Sequence, residues 1–465
     1  MPLQDGLAKP QRTLAFSAIA IATFVAVLDG AIANIALPPI TADLGIEPVD
    51  AIWIVNAYQL AVTMALLPLA SLGEIVGYRK VYLGGVALFT AASLLCALSA
   101  SLPTLVAARA LQGLGAAGIM SINIALVRFV FPQSLLGRAL GYVAMTVAVS
   151  SAAGPSIAGV ILSVASWQSL FLVNVPIGLL TLLIGHRTLP KTERSGRRFD
   201  VRSALLSAAT FGLVISGVNG LGHAEGVSLA LLQIGAGLAI GIAFTRTQLS
   251  MPAPMLPVDL LRLPVIALSA VTSICSFSAQ AIAFICLPFL LHDTLGRSAA
   301  ETGLLMSPWP IATAFAAVLS GRLADRYPPG QLAAVGLFVF AGGLLALALL
   351  PNDPTDIDLI WRLVIAGFGF GIFQTPNNKV LIASAPRERS GGASGIQSTA
   401  RLVGQSMGTA LLAVIYGLVA AGPNTAALFV ATALAAAGIL PSALRRFEPS
   451  VGSIEADAAP AKTRV

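Results

Sequence analysis

The sequence predicts an all-α membrane protein of fourteen transmembrane helices, arranged as two six-helix bundles with two further helices inserted between them. Three observations carry this reading. Of the 465 residues, 57% are hydrophobic and only 10% charged, against roughly 45–50% and about 25% in water-soluble domains. The mean hydropathy is +0.88, so the apolar segments are too numerous to hide in a soluble core. Apolar runs of about 20 residues recur along the chain, long enough to cross a bilayer as helices and without the strict alternation of barrel strands.

The runs fall at 14–38, 51–73, 82–100, 104–128, 139–162, 169–186, 203–221, 228–245, 264–290, 302–321, 331–350, 359–383, 392–418 and 424–443. The short loops between them leave no room for a soluble domain. The first run is too long for a cleaved signal peptide and is expected to stay as a span. Cys96, Cys275 and Cys286 lie inside apolar runs, with no spacing that suggests zinc or a disulfide framework.

Basic residues collect in alternate loops: Lys9 and Arg12, Arg79 and Lys80, Arg128 and Arg138, Arg246 and Arg262, Arg322 and Arg326, Arg387 and Arg389, Arg445 and Arg446. The densest group, Arg187, Lys191, Arg194, Arg197, Arg198 and Arg202, belongs to the same side. The opposite loops hold Asp43, Glu47, Asp50, Asp353, Asp356 and Asp358, with Arg297 as an exception. By the positive-inside rule both termini are cytoplasmic and the number of spans is even, which excludes thirteen and leaves twelve if 203–245 does not cross. The net charge of +7 therefore reads as topology, and no nucleic-acid partner is expected.

Ala70-Ser71-Leu72-Gly73-Glu74-Ile75-Val76-Gly77-Tyr78-Arg79-Lys80 recurs in altered form as Gly321-Arg322-Leu323-Ala324-Asp325-Arg326-Tyr327, aligning Glu74 with Asp325. Arg109 with Gly113 and Gly115 answers Arg362 with Gly367 and Gly369, and Leu37-Pro38 answers Leu287-Pro288. The offset of about 250 residues equals roughly eight spans rather than six, so two helices stand between two related halves. The expected organisation is a cytoplasmic tail over 1–13, a six-helix bundle over 14–188, a basic loop with the inserted helices over 189–262, a second bundle over 263–446 and a disordered cytoplasmic tail over 447–465.

Asp29 is the acidic residue placed deep inside a span, where an ionised carboxylate costs about 3 kcal/mol or more unless paired or hydrated. Either it binds and releases a proton as part of transport, or it is a buried hydrogen-bonding acid that holds helices together. Arg109 lies near the outer end of span four, with Gln112 one turn away and Gly113 and Gly115 allowing close helix contact. Arg109 either approaches Asp29 in one conformation or pairs with lipid phosphate and backbone carbonyls. Gln280, or its neighbour Ala279, occupies the position answering Asp29, so the second half has no acid at the matching place. Gly77 permits a tight turn in the charged loop of Glu74, Arg79 and Lys80, which Arg322, Asp325 and Arg326 repeat. Gly154-Pro155 breaks the helical ladder of span five.

Polar residues at helical spacing mark a candidate substrate cavity: Trp53, Asn56, Gln59 and Thr63; Ser273, Ser276, Gln280 and Phe284; Phe370, Phe373, Gln374 and Asn377; Ser394, Gln397, Arg401 and Gln405. Asn34 and Gln112 are added from the first and fourth spans. Each stripe could equally serve interhelical hydrogen bonding.

Five motifs in order resemble the major facilitator superfamily, and within it the fourteen-span branch of drug/proton antiporters. They are Leu28-Asp29-Gly30-Ala31-Ile32-Ala33-Asn34-Ile35-Ala36-Leu37-Pro38, the loop around Glu74, Arg109-Ala110-Leu111-Gln112-Gly113-Leu114-Gly115-Ala116-Ala117, Gly154-Pro155-Ser156-Ile157-Ala158-Gly159, and Trp167-Gln168-Ser169-Leu170-Phe171-Leu172-Val173-Asn174-Val175-Pro176. Ala70, Glu74 and Ala158 depart from the family pattern. The resemblance implies proton coupling at Asp29 and Arg109, charged loops that latch the halves in an outward-open state, and an antiporter motif at Gly154-Pro155.

The function so implied is proton-driven export of amphiphilic drugs or toxic small molecules across a bacterial inner membrane, by a monomer, with protons and lipid as partners and no cofactor or metal. No GxxxxGK[ST] phosphate loop is present, so a primary pump is not expected. His186, His223 and His292 converge on no nucleophile, and no enzyme is expected. The alternatives are a proton-coupled or facilitated metabolite transporter on the same fold and a non-transporting membrane sensor.

Overall fold

The computed structural model describes residues 6–132, 135–192, 199–221, 226–251, 254, 256–324, 326–351, 353–385 and 389–445. Asp325, Arg194, Arg197, Arg198, Arg387, Arg446, His223 and the tail 447–465 lie outside the described residues. The first bundle comprises α1 (Gln11–Leu44), α2 (Pro48–Val76), α3 (Tyr78–Ala97), α4 (Leu102–Met120) continued by α5 (Asn123–Val130), α6 (Leu136–Val164), and α7 (Gln168–Leu172) continued by α8 (Asn174–Thr188). The inserted helices α9 (Val201–Gly220) and α10 (Val227–Leu249) pack on each other. The second bundle comprises α11 (Pro264–Phe289), α12 (Ala299–Met306) continued by α13 (Pro308–Leu323), α14 (Pro329–Ala348), α15 (Asp356–Ala383), α16 (Ser390–Leu418), and α17 (Pro423–Ala437) continued by α18 (Ile439–Leu444).

Local chemistry sets these boundaries. Proline stands in the first turn of α2, α4, α11, α13, α14 and α17, where its missing N–H costs nothing. Ser298 and Thr355 close capping boxes with Glu301 and Asp358 at the starts of α12 and α15. Gly77 sits at φ +100°, so the α2–α3 turn is one that an L side chain rarely adopts. Thirteen helical segments of the described residues are long and apolar enough to cross a membrane. The 28-residue α15 is not among them; it carries Asp356, Asp358, Arg362 and Lys379 and packs against both α13 and α14.

The helix ends separate into a basic and an acidic side. On the basic side Leu7 N–H bonds Val130 O at 3.0 Å and Tyr78 N–H bonds Thr192 Oγ1 at 2.9 Å. There too Arg389 bridges Asp259, the latter on the 3-10 turn Val258–Arg262. On the acidic side Trp167 donates to Asp43 at 2.8 Å. Arg297, the exception to the charge pattern, is there neutralised by Asp356 at 2.7 Å.

Packing differs between the two sides. Toward the acidic side one apolar cluster runs through both bundles, joining Leu28, Ile32 and Ile35 of α1 to Phe277 and Ile282 of α11 and to Met306 and Trp309. Toward the basic side there are two clusters: Ile19, Tyr82, Leu126 and Leu189 of the first bundle, which Leu402 of α16 also joins, and Leu260, Ile266, Leu381 and Ile396 of the second. The bundles meet along α6 with α12 and α2 with α16. Helix α9 rests on both α2 and α16.

Candidate functional site

Asp29 lies past the middle of α1 and is 2% exposed, inside the first bundle. Its carboxylate accepts from the Arg109 guanidinium, from Gln112 Nε2 at 2.8 Å and from Asn174 Nδ2 at 2.8 Å. Arg109 is fully buried and held from several directions. Its Nε donates to Ile54 O at 3.1 Å, its Nη1 to Gln112 Oε1 at 2.6 Å, and its guanidinium stands 4.3 Å from the centre of the Tyr58 ring. Gln112 Nε2 also reaches Ser93 Oγ at 2.9 Å. The pair is thus buried and paired, the condition under which charge survives in an apolar interior. All of these partners come from α1, α2, α3, α4 and α8.

This placement settles which groups surround Asp29. Arg109 stands within two turns of the start of α4, yet α2 and α3 enclose it, so it meets Asp29 rather than lipid phosphate. Sequence reasoning missed Asn174 as a site residue. It had one signal, a polar side chain in an otherwise apolar span, inside a motif quoted for other reasons. Ser93 and Tyr58 carried none.

The stripe on α2 meets the second bundle and the inserted pair. Thr63 Oγ1 lies 3.3 Å from Ser406 Oγ, and Thr409 Oγ1 donates to Gln59 Oε1 at 2.9 Å. Asn56 is fully buried and donates to Asn219 Oδ1 of α9 at 3.3 Å. Trp53 is half-buried. On the other seam Ser156 and Ser307 hydroxyls lie 2.6 Å apart. A Cβ on Gly303 would come within 2.3 Å of Pro155 O, and one on Gly154 within 2.5 Å of the Ala31 methyl. Bare glycine is what lets these helices touch. Asn34 is buried, with its Oδ1 unpartnered.

In the second bundle Phe370 and Phe373 pack ring to ring in the joined core, and Phe284 stands edge-on to Trp309 at 5.0 Å. Asn377 is fully buried, donates to Ser273 Oγ at 2.8 Å and accepts from Arg445 at 2.8 Å. Arg445, assigned from the sequence to a basic loop, caps the end of α18, is 8% exposed and also bonds Ser269 and Ser442. Arg362 pairs with Asp358 at 3.1 Å and donates to Ala346 O, away from any buried acid. Gln280, Gln374, Gln397 and Arg401 are half-buried.

Of the loop residues, Glu74, Lys80, Arg322 and Arg326 are exposed. Arg79 donates to His186 O, a contact inside the first bundle. His186 belongs to α8 and His292 to the π-helical turn Leu290–Thr294. Among the described residues no group of three or more His, Cys, Asp or Glu side chains could hold a metal ion.

The sequence profile of the Major Facilitator Superfamily matches residues 19–409. The chain is 50% identical over 447 residues to an uncharacterized transporter, YebQ, of Escherichia coli (strain K12), covering 96% of this chain and 98% of that one. It is 30% identical to the riboflavin transporter RibZ of Clostridioides difficile (strain 630), covering 86% and 87%. It is 32% identical to the tetracenomycin C resistance and export protein of Streptomyces glaucescens, covering 86% and 74%. Among solved structures, a bacterial homologue of the human lysosomal transporter Spinster superposes with a TM-score of 0.65 at 15% identity, covering 94% of this chain and 96% of that one.

Proposed function

From the premise that this chain belongs to the Major Facilitator Superfamily, we propose that it is a proton-coupled antiporter that exports amphiphilic small molecules across the bacterial inner membrane. It moves its substrate without converting it, works as a monomer, and has both termini in the cytoplasm. Helix α15 crosses with the thirteen more apolar segments, giving the fourteen spans that a shared side for both termini requires.

One observation carries the proposal: a buried carboxylate, Asp29, paired with a buried guanidinium, Arg109, entirely within one bundle. A structural pair alone would be weak support, because burying two charges seldom gains stability over apolar packing. Retaining one deep in the membrane makes sense when the carboxylate must lose and regain a proton. In the arrangement seen here Asp29 is held as the acceptor of three donors. A rearrangement of α1 against α4 that separates Arg109 from Asp29 would let a proton take the guanidinium's place. Substrate release and proton uptake are then linked through the packing of α1, which also touches α11 and α12 of the other bundle.

A core shared by many residues of both bundles on the acidic side, against one in which only Leu402 crosses on the basic side, supports an arrangement closed to the exterior and open to the cytoplasm. The exposed Glu74, Arg322 and Arg326 fit the released form of a latch that would close when the bundles meet on that side. The exporters among its relatives support outward transport. The riboflavin transporter favours a second reading, a metabolite carrier on the same fold, which the direction of accumulation separates.

The test is purified protein in liposomes carrying a pH gradient, with wild type compared with Asp29→Asn. Proton movement driven by substrate in wild type and lost in the variant, with substrate binding kept, is the expected result. Equal proton-driven transport in both would remove Asp29 from the coupling.

A further inference from the structure

The charge left facing the space between the bundles is positive. On α16, at about 100° per residue, Gly404 and Gly408 face α11, where a Cβ would meet Ile274 O at 2.8 Å and Ser278 O at 2.4 Å. Leu402 and Ser406 face α2, the first in the core of that bundle and the second against Thr63. Arg401 and Gln405 lie between these two directions on α16, on the arc turned toward the space between the bundles, and both are half-buried. Arg401 lies 11 residues, or about 16 Å, from the basic end of α16.

The other interior cations have been given partners. Arg109 has Asp29, Arg362 has Asp358, and Arg445 has Asn377, Ser269 and Ser442. Arg401 makes no hydrogen bond or ion pair among the described residues, and its Nε is buried without a partner. A buried donor on a permanent cation is costly to leave unmade. Asp29 cannot supply the missing charge, since it is 2% exposed and saturated within the first bundle.

We propose that Arg401 anchors the anionic group of the substrate, so that this transporter takes amphiphiles bearing a carboxylate or a similar monoanion. The guanidinium is a planar fork that a carboxylate meets with two parallel N–H···O bonds; the Nε edge, closed to solvent in this arrangement, is offered to a ligand once the side chain turns. Gln405, one turn further along the same stripe, adds a neutral polar contact, and the apolar body of the ligand lies between the bundles. The inference rests on the transporter reading and names its substrate class.

The test uses three compounds that share one naphthyl-alkyl body and end in a carboxylate, a carboxamide or a trimethylammonium group. Binding to the full-length protein in detergent is measured by calorimetry without any gradient. Wild type is expected to bind the carboxylate about ten- to a hundredfold more tightly than the carboxamide and the trimethylammonium compound most weakly. Arg401→Gln erases the preference for the carboxylate and Arg401→Lys keeps part of it. A preference that survives Arg401→Gln, a wild type that favours the trimethylammonium compound, or one that binds the three equally or not at all overturns the proposal. The wild-type ranking stands even where a variant misfolds. Liposome transport of the same compounds under a pH gradient separates the two readings. Proton-driven movement of the trimethylammonium compound keeps the antiporter and sinks the anion site, whereas carboxylate binding without proton-driven movement does the reverse.

Discussion

Arg109 and Asp29 meet side chain to side chain across two helices of one bundle, at 0% and 2% exposure, and among the described residues none of the other bundle hydrogen-bonds to either. Removing one partner strands the other. Asp29→Ala is expected to lower stability by about 3–5 kcal/mol, because the guanidinium is then buried without its counter-charge. Arg109→Ala behaves similarly, and the double variant recovers much of the loss. Thermal unfolding of the four proteins in detergent gives the coupling; additive single losses would mean that the pair is not energetically a unit.

Asn174 donates to the same carboxylate oxygen as Gln112. Asn174→Ala is expected to slow transport about tenfold, as loss of one hydrogen bond to a charged group would, while the protein stays folded. Cys96→Ala removes a buried core sulfur and its long contact to Gln112, 3.5 Å, and should leave the rate within about twofold. Initial rates in liposomes decide, and equal effects of the two changes would place Asn174 outside the machinery.

The two halves of this site differed in what the sequence revealed. Asp29 and Arg109 stood out individually because charge inside an apolar run is expensive. Their meeting was invisible, since 80 residues separate them and a helix that is apolar on all sides gives no periodicity to say which face turns inward. Asn174, 145 residues from Asp29, was harder still. Arg445 misled for the opposite reason: a basic residue at the end of a span reads as a topology signal, and only packing against α11 and α15 shows that it is buried. The fourteen runs were legible because hydrophobic length is a local property, although α15, with its charges, is the one the apolar criterion leaves out.

Gly303→Ala tests the seam on the acidic side. A methyl group 2.3 Å from Pro155 O forces α6 and α12 apart, at an overpacking cost of about 1–3 kcal/mol that shifts the closed population by about 5–150-fold. In a protein whose three cysteines are replaced by alanine, a cysteine at Ser156 should then react faster with an impermeant maleimide applied from outside. Unchanged labelling would show that the seam does not open there.

Outside the membrane, Arg389 holds the Asp259 carboxyl below the usual carboxylate range through a hydrogen-bonded pair. A depressed folded-state pKa gives stability that is fully present above the unfolded value of about 3.9 and is lost as pH falls through the folded one. The side chains are 36% and 38% exposed, so the effect is below about 1 kcal/mol. Asp259→Asn should unfold slightly earlier than wild type at pH 7, and the gap should shrink as pH falls below about 3.9. A gap that widens toward acid pH would reverse the sign.

Transport should also report the charge of the substrate. With one proton entering for each molecule that leaves, export of a monoanion carries two positive charges inward, of a neutral compound one and of a monocation none. An inside-negative potential, worth about 2.3 kcal/mol per charge per 100 mV, should therefore accelerate export of the naphthyl carboxylate more than that of its carboxamide. Potential-independent export of the carboxylate would contradict a one-for-one exchange.

Helix α9 lies against both α2 and α16, tied to the former through Asn219 and Asn56. These are the helices whose separation would open one flank of the molecule to the bilayer. With α9 laid across that flank, a compound dissolved in the lipid cannot slip in there, while among the described residues no helix outside the bundles covers α6 and α12 on the opposite flank. The two flanks are therefore unequal, and on the exporter reading lipid-borne cargo is expected to approach along α6 and α12, whose seam is closed in this arrangement.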